Sequence, residues 1–298
     1  MPNAISTALK GEIFLNKVFE GFVAGLMSVS AFASNLSPKS SDRGSSVKVI
    51  TVGDQDGAID FEGSYTQQDQ DIGSVEVALD KHKFVSWGLS DKEIIENEGI
   101  NLETVAYRKG YKLAKAVFQD ILSSITASNY GDTAADKITI AAANWDEDDM
   151  VDLRTALKNK GIPAAMASAV LGTDYTGGLL KSLNDAAKAG STDPLREGIV
   201  GRIAGLQTYE SDLIPANSEN LGGFACAPDA LGVAMRYLAP QDNHDYSEAY
   251  PMTDEATGIT LGVRKWYDRD AGTSKVVMEA LYGYKPIDGS ALVRILSA

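Results

Sequence analysis

The sequence predicts an α+β protein organised around one long helix. Two observations carry that expectation. Residues Asn101 to Ala127 repeat apolar side chains at helical spacing (Val105, Ala106, Leu113, Ala114, Val117, Phe118, Ile121, Leu122, Ile125). Runs of strand composition flank this stretch, at 47–88 and again across 198–298, and the chain shows no internal repeat. A helix of about 25 residues would span roughly 38 Å. Asn101 is a suitable N-cap, and Glu103 places a negative charge in the first turn. The polar face of the helix carries Arg108, Lys109, Lys112 and Lys115.

The 298 residues are enough for one large domain or two modest ones, with 44% hydrophobic and 23% charged residues. A net charge of −14 argues against a protein whose main affinity is for nucleic-acid phosphates. Cys226 is the single cysteine, so no intrachain disulfide can form. No run of about 18 apolar residues is present, so no membrane-spanning helix is expected. The segment Gly21 to Ala33 has signal-peptide length and a small-residue ending at Ala31-Phe32-Ala33, but Glu12 and Glu20 interrupt the basic flank, and it reads as part of the protein.

In chain order, residues 1–46 form an arm. Ile13, Leu15, Val18, Phe19, Phe22, Val23, Leu26 and Met27 give it an apolar helical face, followed by an extended polar linker from Asn35 to Ser46. That face must bury itself on the body or on another subunit. Phe14, Phe19 and Phe22 are the expected anchors, and removing residues 1–30 is expected to weaken assembly while leaving the core folded. Residues 47–88 form an extended β-loop from Val47–Val52 and Ser74–Trp87. From Thr51 to Asp80 there are eight acids and no Lys or Arg. Such a two-stranded excursion is marginal alone in water, which suggests that it lies on a neighbour.

Ser90 to Glu93 opens a short helix with a capping box. After the long helix, Asp136 to Asn144 reads as a strand. Asp146 to Asp149 start a helix that Gly161 and Pro163 stop. A further helix is expected over Tyr175 to Lys188, a strand pair over Gly198 to Pro215, and a short helix over Ala227 to Pro240. Thr257–Asp268 and Ser274–Gly283 form a hairpin around a glycine-containing loop, and Ala291–Ser297 is a closing strand.

Catalytic and cofactor signatures are missing: there is no phosphate-binding glycine loop, no dinucleotide fingerprint, no H-E-x-x-H, no C-x-x-C and no G-x-S-x-G. His82 lies between lysines in a strand and is expected to be exposed, His244 sits in a polar loop, and Cys226 reads as a small buried residue. Asp54 to Glu62 imitates the middle of a calcium loop. Aligned on Gly57, however, the first and twelfth ligand positions fall on Val52 and Gly63, so the obligatory carboxylates are absent. No catalytic, cofactor or metal residue is assigned.

Four C-terminal stretches carry a resemblance: Gly201–Pro215, Gly223–Leu238, Thr257–Asp288 and the closing Ala291-Leu-Val-Arg-Ile-Leu296. Gly201, Ile203, Gly205, Tyr209, Ser211 and Pro215, with Leu281, Tyr282 and Gly283, resemble the major capsid proteins of tailed bacteriophages, whose shell fold is called the Hong Kong 97 type. The order of elements resembles that fold along nearly the whole chain. The resemblance implies an N-terminal arm (1–46), an extended β-loop (47–88) and a peripheral domain with its spine helix (89–145, helix 101–127). It further implies a mainly axial domain (146–256), then a hairpin and closing strand returning to both domains (257–298).

It implies a structural protein, not an enzyme, that self-assembles into hexamers and pentamers of an icosahedral shell around double-stranded DNA, without sequence-specific binding. The implied location is the virion capsid, assembled in the bacterial cytoplasm, with a portal and possible decoration protein as partners and no cofactor. Forty-six residues ahead of the β-loop leave no room for a scaffolding segment, which implies a separate scaffolding protein. Charge adds a further expectation: the acidic loop of one subunit lies across basic surface of its neighbour, supplied by Arg108, Lys109, Lys112, Lys115, Lys39, Arg43 and Lys48. The alternatives are an encapsulin-like nanocompartment shell and, from a different class, a soluble α+β enzyme with Asp146 to Asp149 and His244 as candidates.

Overall fold

The computed structural model describes residues 15–23, 32–37, 45–52, 60, 72–92, 102–183, 201–240, 246–254 and 259–298. Two six-stranded sheets, each with helices packed on it, make an α+β architecture. The long helix, α2, runs from Leu102 to Leu122. It lies against the first sheet, whose order is β1 (Ala33–Asn35), β10 (Leu231–Arg236), β13 (Thr273–Pro286), β12 (Thr260–Asp268) and β11 (Glu248–Thr253), with β4 (Lys81–Ser90) paired along the other side of β13. Lys83 Nζ donates to Ala116 O at 2.8 Å and Tyr282 Oη donates to Asp120 at 2.7 Å, fixing the helix across β4 and β13.

The second sheet has the order β5 (Lys137–Thr139), β14 (Leu292–Leu296), β9 (Leu221–Cys226), β6 (Ser168–Gly172), β8 (Leu206–Ser211) and β7 (Arg202–Ile203). Helices α4 (Glu147–Asn159) and α5 (Thr173–Ser182) cover it through Trp145, Met150, Leu153, Leu157, Tyr175 and Leu179. The long β13 is central to the first sheet and β14 is interior to the second, so the last forty residues described tie the two together.

The arm folds back onto its own chain. Residues 15–23 form helix α1, with Leu15, Val18 and Phe22 buried in the main core beside Val117 and Phe118 of α2. Two glycines set this crossing. A Cβ on Gly110 would lie 1.8 Å from Val18 O, and one on Gly21 would lie 2.3 Å from Tyr107 O, so the helix backbones touch. Phe32 then wedges edge-on between Phe118 and Phe224 (centroids 5.8 and 5.3 Å apart), and β1 joins β10 in parallel. The expectation that residues 1–30 can be removed without disturbing the core is corrected: α1 is core. Phe19 packs at the edge of the same cluster, and Phe14 lies outside the described residues.

Several boundaries move. The expected helix over 101–127 ends at Leu122, and a separate short helix, α3 (Ala127–Tyr130), follows. The loop before β9 causes the break. Asn217 Nδ2 donates to Leu122 O at 2.9 Å and Ile125 O at 2.7 Å, while Glu219 Oε1 accepts from Ala127 N at 2.8 Å. Carbonyls and an amide that continued helix would have paired internally are satisfied from outside. Asn217, Ser218 and Asn220 hold φ of 49°, 59° and 55° to make this loop.

The strand expected over Ser74–Trp87 is two: β3 (Ile72–Ala78), paired with β2 (Ser46–Val52), and β4, paired with β13. Ala78 O at the break sits where a Cβ on Gly283 would be, 1.8 Å away, which gives the Leu281-Tyr282-Gly283 stretch a steric reason for glycine. Of Asp136–Asn144 only Lys137–Thr139 is strand, and Ala142–Asn144 is a 3₁₀ turn. Of the helix expected over Tyr175–Lys188, the described part runs Thr173–Ser182, and residues 184–188 lie outside the described residues. The short helix expected over Ala227–Pro240 is a 3₁₀ turn at Pro228–Ala230 followed by β10; its first five residues, Leu231–Met235, are buried in a row. A strand buried on both faces loses the alternation that distinguishes it from a buried helix.

The hairpin expected from 257 to 283 is present as β12 and β13, and β7–β8 turns through Ala204 (φ 50°) and Gly205 (φ 85°), the left-handed pair of a tight hairpin.

An ion pair locks the second sheet to α4. Lys160 Nζ lies 2.7 Å from Asp136 Oδ1 and donates to Leu292 O at 2.9 Å. The Lys160 hydrogen bond, aided by bonds from Thr133, lowers the Asp136 pKa from 3.8 to about 2. The folded carboxyl therefore binds its proton later than the unfolded one. Its stabilisation is complete above pH 4 and is lost as pH falls from about 4 to about 2. Asp136→Asn is expected to lower stability at pH 7 and to flatten the pH dependence in that window, measured by denaturant unfolding at successive pH values.

Candidate assembly surfaces

The β2–β3 hairpin projects from a small apolar base made by Val47, Val77, Leu79, Leu36 and Ala234. Seven residues a strand reach about 23 Å. The ladder is antiparallel from Ser46↔Ala78 to Val52↔Ile72. Alternation places Val47, Val49, Val75 and Val77 on one face, and Lys48, Ile50, Ile72, Ser74 and Glu76 on the other. On that second face Ile50 is 75% exposed and Ile72 60% exposed, diagonal neighbours on a two-stranded ribbon. The chain between the strand ends holds six of the eight acids: Asp54, Asp56, Asp60, Glu62, Asp69 and Asp71. The calcium-loop mimic lies there too, and apart from Asp60 it falls outside the described residues.

The exposed face of α2 is the second surface. Its basic residues are not equivalent. Lys109 Nζ donates to Ser86 O on β4 at 2.8 Å, and Lys115 Nζ approaches Asp212 at 3.8 Å. Arg108, Lys109 and Lys112 line an open groove of about 660 Å³ between α2 and β4, together with Val85, Val105, Tyr107 and Tyr111. Tyr107 and Val105 remain partly in solvent. The groove therefore combines apolar and cationic side chains in its lining. Of the other expected basic contributors, Lys48 lies on β2, and Lys39 and Arg43 are outside the described residues.

The residues weighed as catalytic do structural work where they are described. Asp146 is the N-cap of α4, accepting from Asp148 N and Asp149 N, and the Asp149 carboxylate accepts from Asp146 N in return. Burial raises the Asp149 pKa. His82 points its Nε2 at Glu279 Oε2, 3.1 Å away, from a half-exposed position. His244 lies outside the described residues. Cys226 is fully buried, and burial pushes its thiol up to about 12. Among the described residues no three His, Cys, Asp or Glu side chains are placed to hold a metal ion, and no helix is long and apolar enough to cross a membrane.

Two buried charges escaped the sequence reading. Glu279, 5% exposed, bonds Arg264 at 2.8 Å, and Arg264 also donates to Leu238 O and Tyr246 Oη. Arg294, fully buried in β14, donates to Glu219, to Gly131 O and to Asp132 at 3.1 Å. The available signal was a single charge inside an otherwise apolar strand, in VVMEALY and ALVRIL.

No protein-family model and no curated protein sequence matches the chain. Solved structures do. The capsid of the cyanophage P-SCSP1u matches with TM-score 0.61 at 14% identity, covering 89% of this chain and 86% of that one. The mature capsid of bacteriophage PhiM1 matches with TM-score 0.61 at 13% identity, covering 90% and 86%. A virus-like particle from Pyrococcus furiosus matches with TM-score 0.53 at 13% identity, covering 95% and 98%. Likeness at these identities concerns the fold of the backbone over most of the chain.

Proposed function

From the premise that this chain has the fold of tailed-phage capsid proteins, we propose that it is the major capsid protein of a tailed bacteriophage. One observation carries the reading: the likeness to two phage capsids spans about nine-tenths of the chain. Copies associate into hexamers and pentamers of an icosahedral shell that encloses double-stranded DNA without reading its sequence, and the chain is a structural component, not an enzyme. Assembly takes place in the bacterial cytoplasm with a separate scaffolding protein and a portal, and a decoration protein is a possible addition. In this reading the first sheet with α2 belongs to the peripheral domain and the second sheet with α4 and α5 to the axial domain.

The mechanism is surface complementarity. The two cores hold each subunit's shape, and the projecting hairpin and the exposed helix face are what it offers to neighbours. Electron microscopy of the purified chain, with light scattering alongside, is the test. Closed shells or rings of five and six subunits are expected. A uniform small oligomer that fails to assemble with crowding, salt or scaffolding protein overturns the reading in favour of a soluble α+β protein.

A second reading is a compartment shell of the same fold around a protein cargo, and a virus-like particle from Pyrococcus furiosus is among the structures the chain resembles. Particles isolated from the native source separate the two: a virion shell contains DNA, a compartment contains enzyme.

A further inference from the structure

We infer that the outer edge of β4 is a strand-addition site for an extended, acidic segment of a separate partner protein. The site goes beyond the shell reading and does not depend on it. The first sheet has two long edges, and the sequence treats them differently. β11 carries Pro251 opposite Gly262. Proline has no N–H to give β12, so its backbone N and O face outward, and that edge lacks a donor in its middle, a common protection of an edge strand against pairing. Alternation across the sheet then fixes the other edge. Gly262 turns its backbone groups toward Glu279, and Glu279 turns its own toward Gly262. Phe84, on the far side of Glu279, therefore points its N–H and C=O away from β13, and so do His82, Ser86 and Gly88. Two bonds agree with this phase: Asp91 N donates inward to Gly272 O at 3.0 Å, and Ser86 O accepts from outside the sheet, from Lys109 Nζ at 2.8 Å. Among the described residues β4 pairs with β13 alone, and its ten residues hold no proline.

The surroundings of this edge describe its occupant. A row of alternating outward donors and acceptors is met by a polypeptide strand, not by a phosphate backbone. Phe84, 61% exposed, stands on one face of β4. On the other face Val85 opens into the groove it shares with Val105, Tyr107 and Tyr111. An added strand alternates its side chains between these faces, so one set covers Phe84 and the next enters the groove. Arg108 and Lys112 in the groove lining call for acids on that segment and set its register. A second copy of this chain fits poorly through its own sheet edges. Its β11 is closed by Pro251, and pairing β4 with β4 about a twofold axis would set two cationic grooves side by side.

The test follows a labelled synthetic peptide, DEDVTVTVT, by fluorescence anisotropy with the purified full-length chain. Saturable binding is expected, with slowed amide exchange across 82–88. Two versions of the peptide, N-methylated at alternate residues, decide the geometry. One blocks the N–H groups that face β4 and is expected to bind at least about tenfold more weakly; the other blocks the opposite set and is expected to bind like the parent. Arg108→Glu with Lys112→Glu is expected to weaken the parent peptide at least about tenfold and to favour KRKVTVTVT in its place. No binding up to about 1 mM, or the same affinity from both methylated versions, overturns strand addition. Indifference to the charge reversal overturns the acidic character of the partner. Binding that appears only when the chain is diluted to monomers shows that a second copy already holds the edge, and it overturns a separate partner. Shell formation is read independently by electron microscopy, so failure here leaves the shell reading in place.

Discussion

Gly110→Ala is expected to destabilise the protein by about 1–3 kcal/mol, although helix propensity alone favours alanine by about 1 kcal/mol. The new Cβ would stand 1.8 Å from Val18 O, 2.7 Å from its carbonyl carbon and 3.0 Å from Phe22 N. All three are backbone atoms, so no rotamer change relieves the overlap, and the helices must separate by more than 1 Å. Separation loosens Leu15, Val18 and Phe22, each buried to 1% exposure or less. Full burial of such side chains is worth about 1.5–3 kcal/mol apiece. A larger residue is therefore expected to release α1 altogether: Gly110→Leu should cost more than alanine and expose the arm to limited proteolysis. Gly177→Ala in α5 is the internal control, since a Cβ there meets nothing within 4 Å, and it should be neutral or mildly stabilising. Denaturant midpoints for the three variants check the order. Equal effects of alanine at 110 and 177 would remove the close crossing as the cause.

Arg294→Met is the second large effect. The guanidinium is fully buried and bridges Glu219, Gly131 O and Asp132, joining α3 and the loop before β9 to β14 of the second sheet. Removing one partner of a fully buried pair typically costs about 3–5 kcal/mol; because Glu219 is 24% exposed, the cost here is expected at or below the lower end of that range. Glu219 carries most of that penalty, because Asp132 is 62% exposed and recovers water. Replacing both charges, Arg294→Met with Glu219→Met, should cost clearly less than the sum of the single changes, since an ion pair's desolvation is also removed. Glu219 has a second duty in accepting from Ala127 N, so the double variant should not return fully to wild type. A thermal-unfolding double-mutant cycle measures the coupling, and simple additivity would show that Arg294 acts by packing alone.

These two sites show where local pattern suffices and where it does not. The apolar spacing of α2, the acidic start and basic end of α4, and the β12–β13 hairpin follow from side chains a few residues apart, and they were legible in the sequence. The capsid resemblance rested on Gly205 and Gly283, among others: Gly205 has a local cause, a left-handed turn, whereas Gly283 makes room for the Ala78 carbonyl from a distant part of the chain. The basic cluster on α2 and the acidic hairpin were also legible as composition. That Lys109 bonds Ser86 O and Lys115 faces Asp212 depends on segments from distant parts of the chain.

The α+β class, the amphipathic faces and most turns follow from the residue order alone, because helix and strand periodicity and capping are properties of neighbouring residues. Tertiary structure decided the rest. It ended α2 at Leu122, because Asn217, 95 residues away, satisfies the carbonyl there. It made Leu231–Arg236 a strand, because β13 on one side and β1 on the other supply its hydrogen bonds. It turned the arm helix inward, because Gly21 and Gly110 let two backbones touch. Each of these choices depends on which groups a remote segment brings to pair or to pack, and no local window contains that partner.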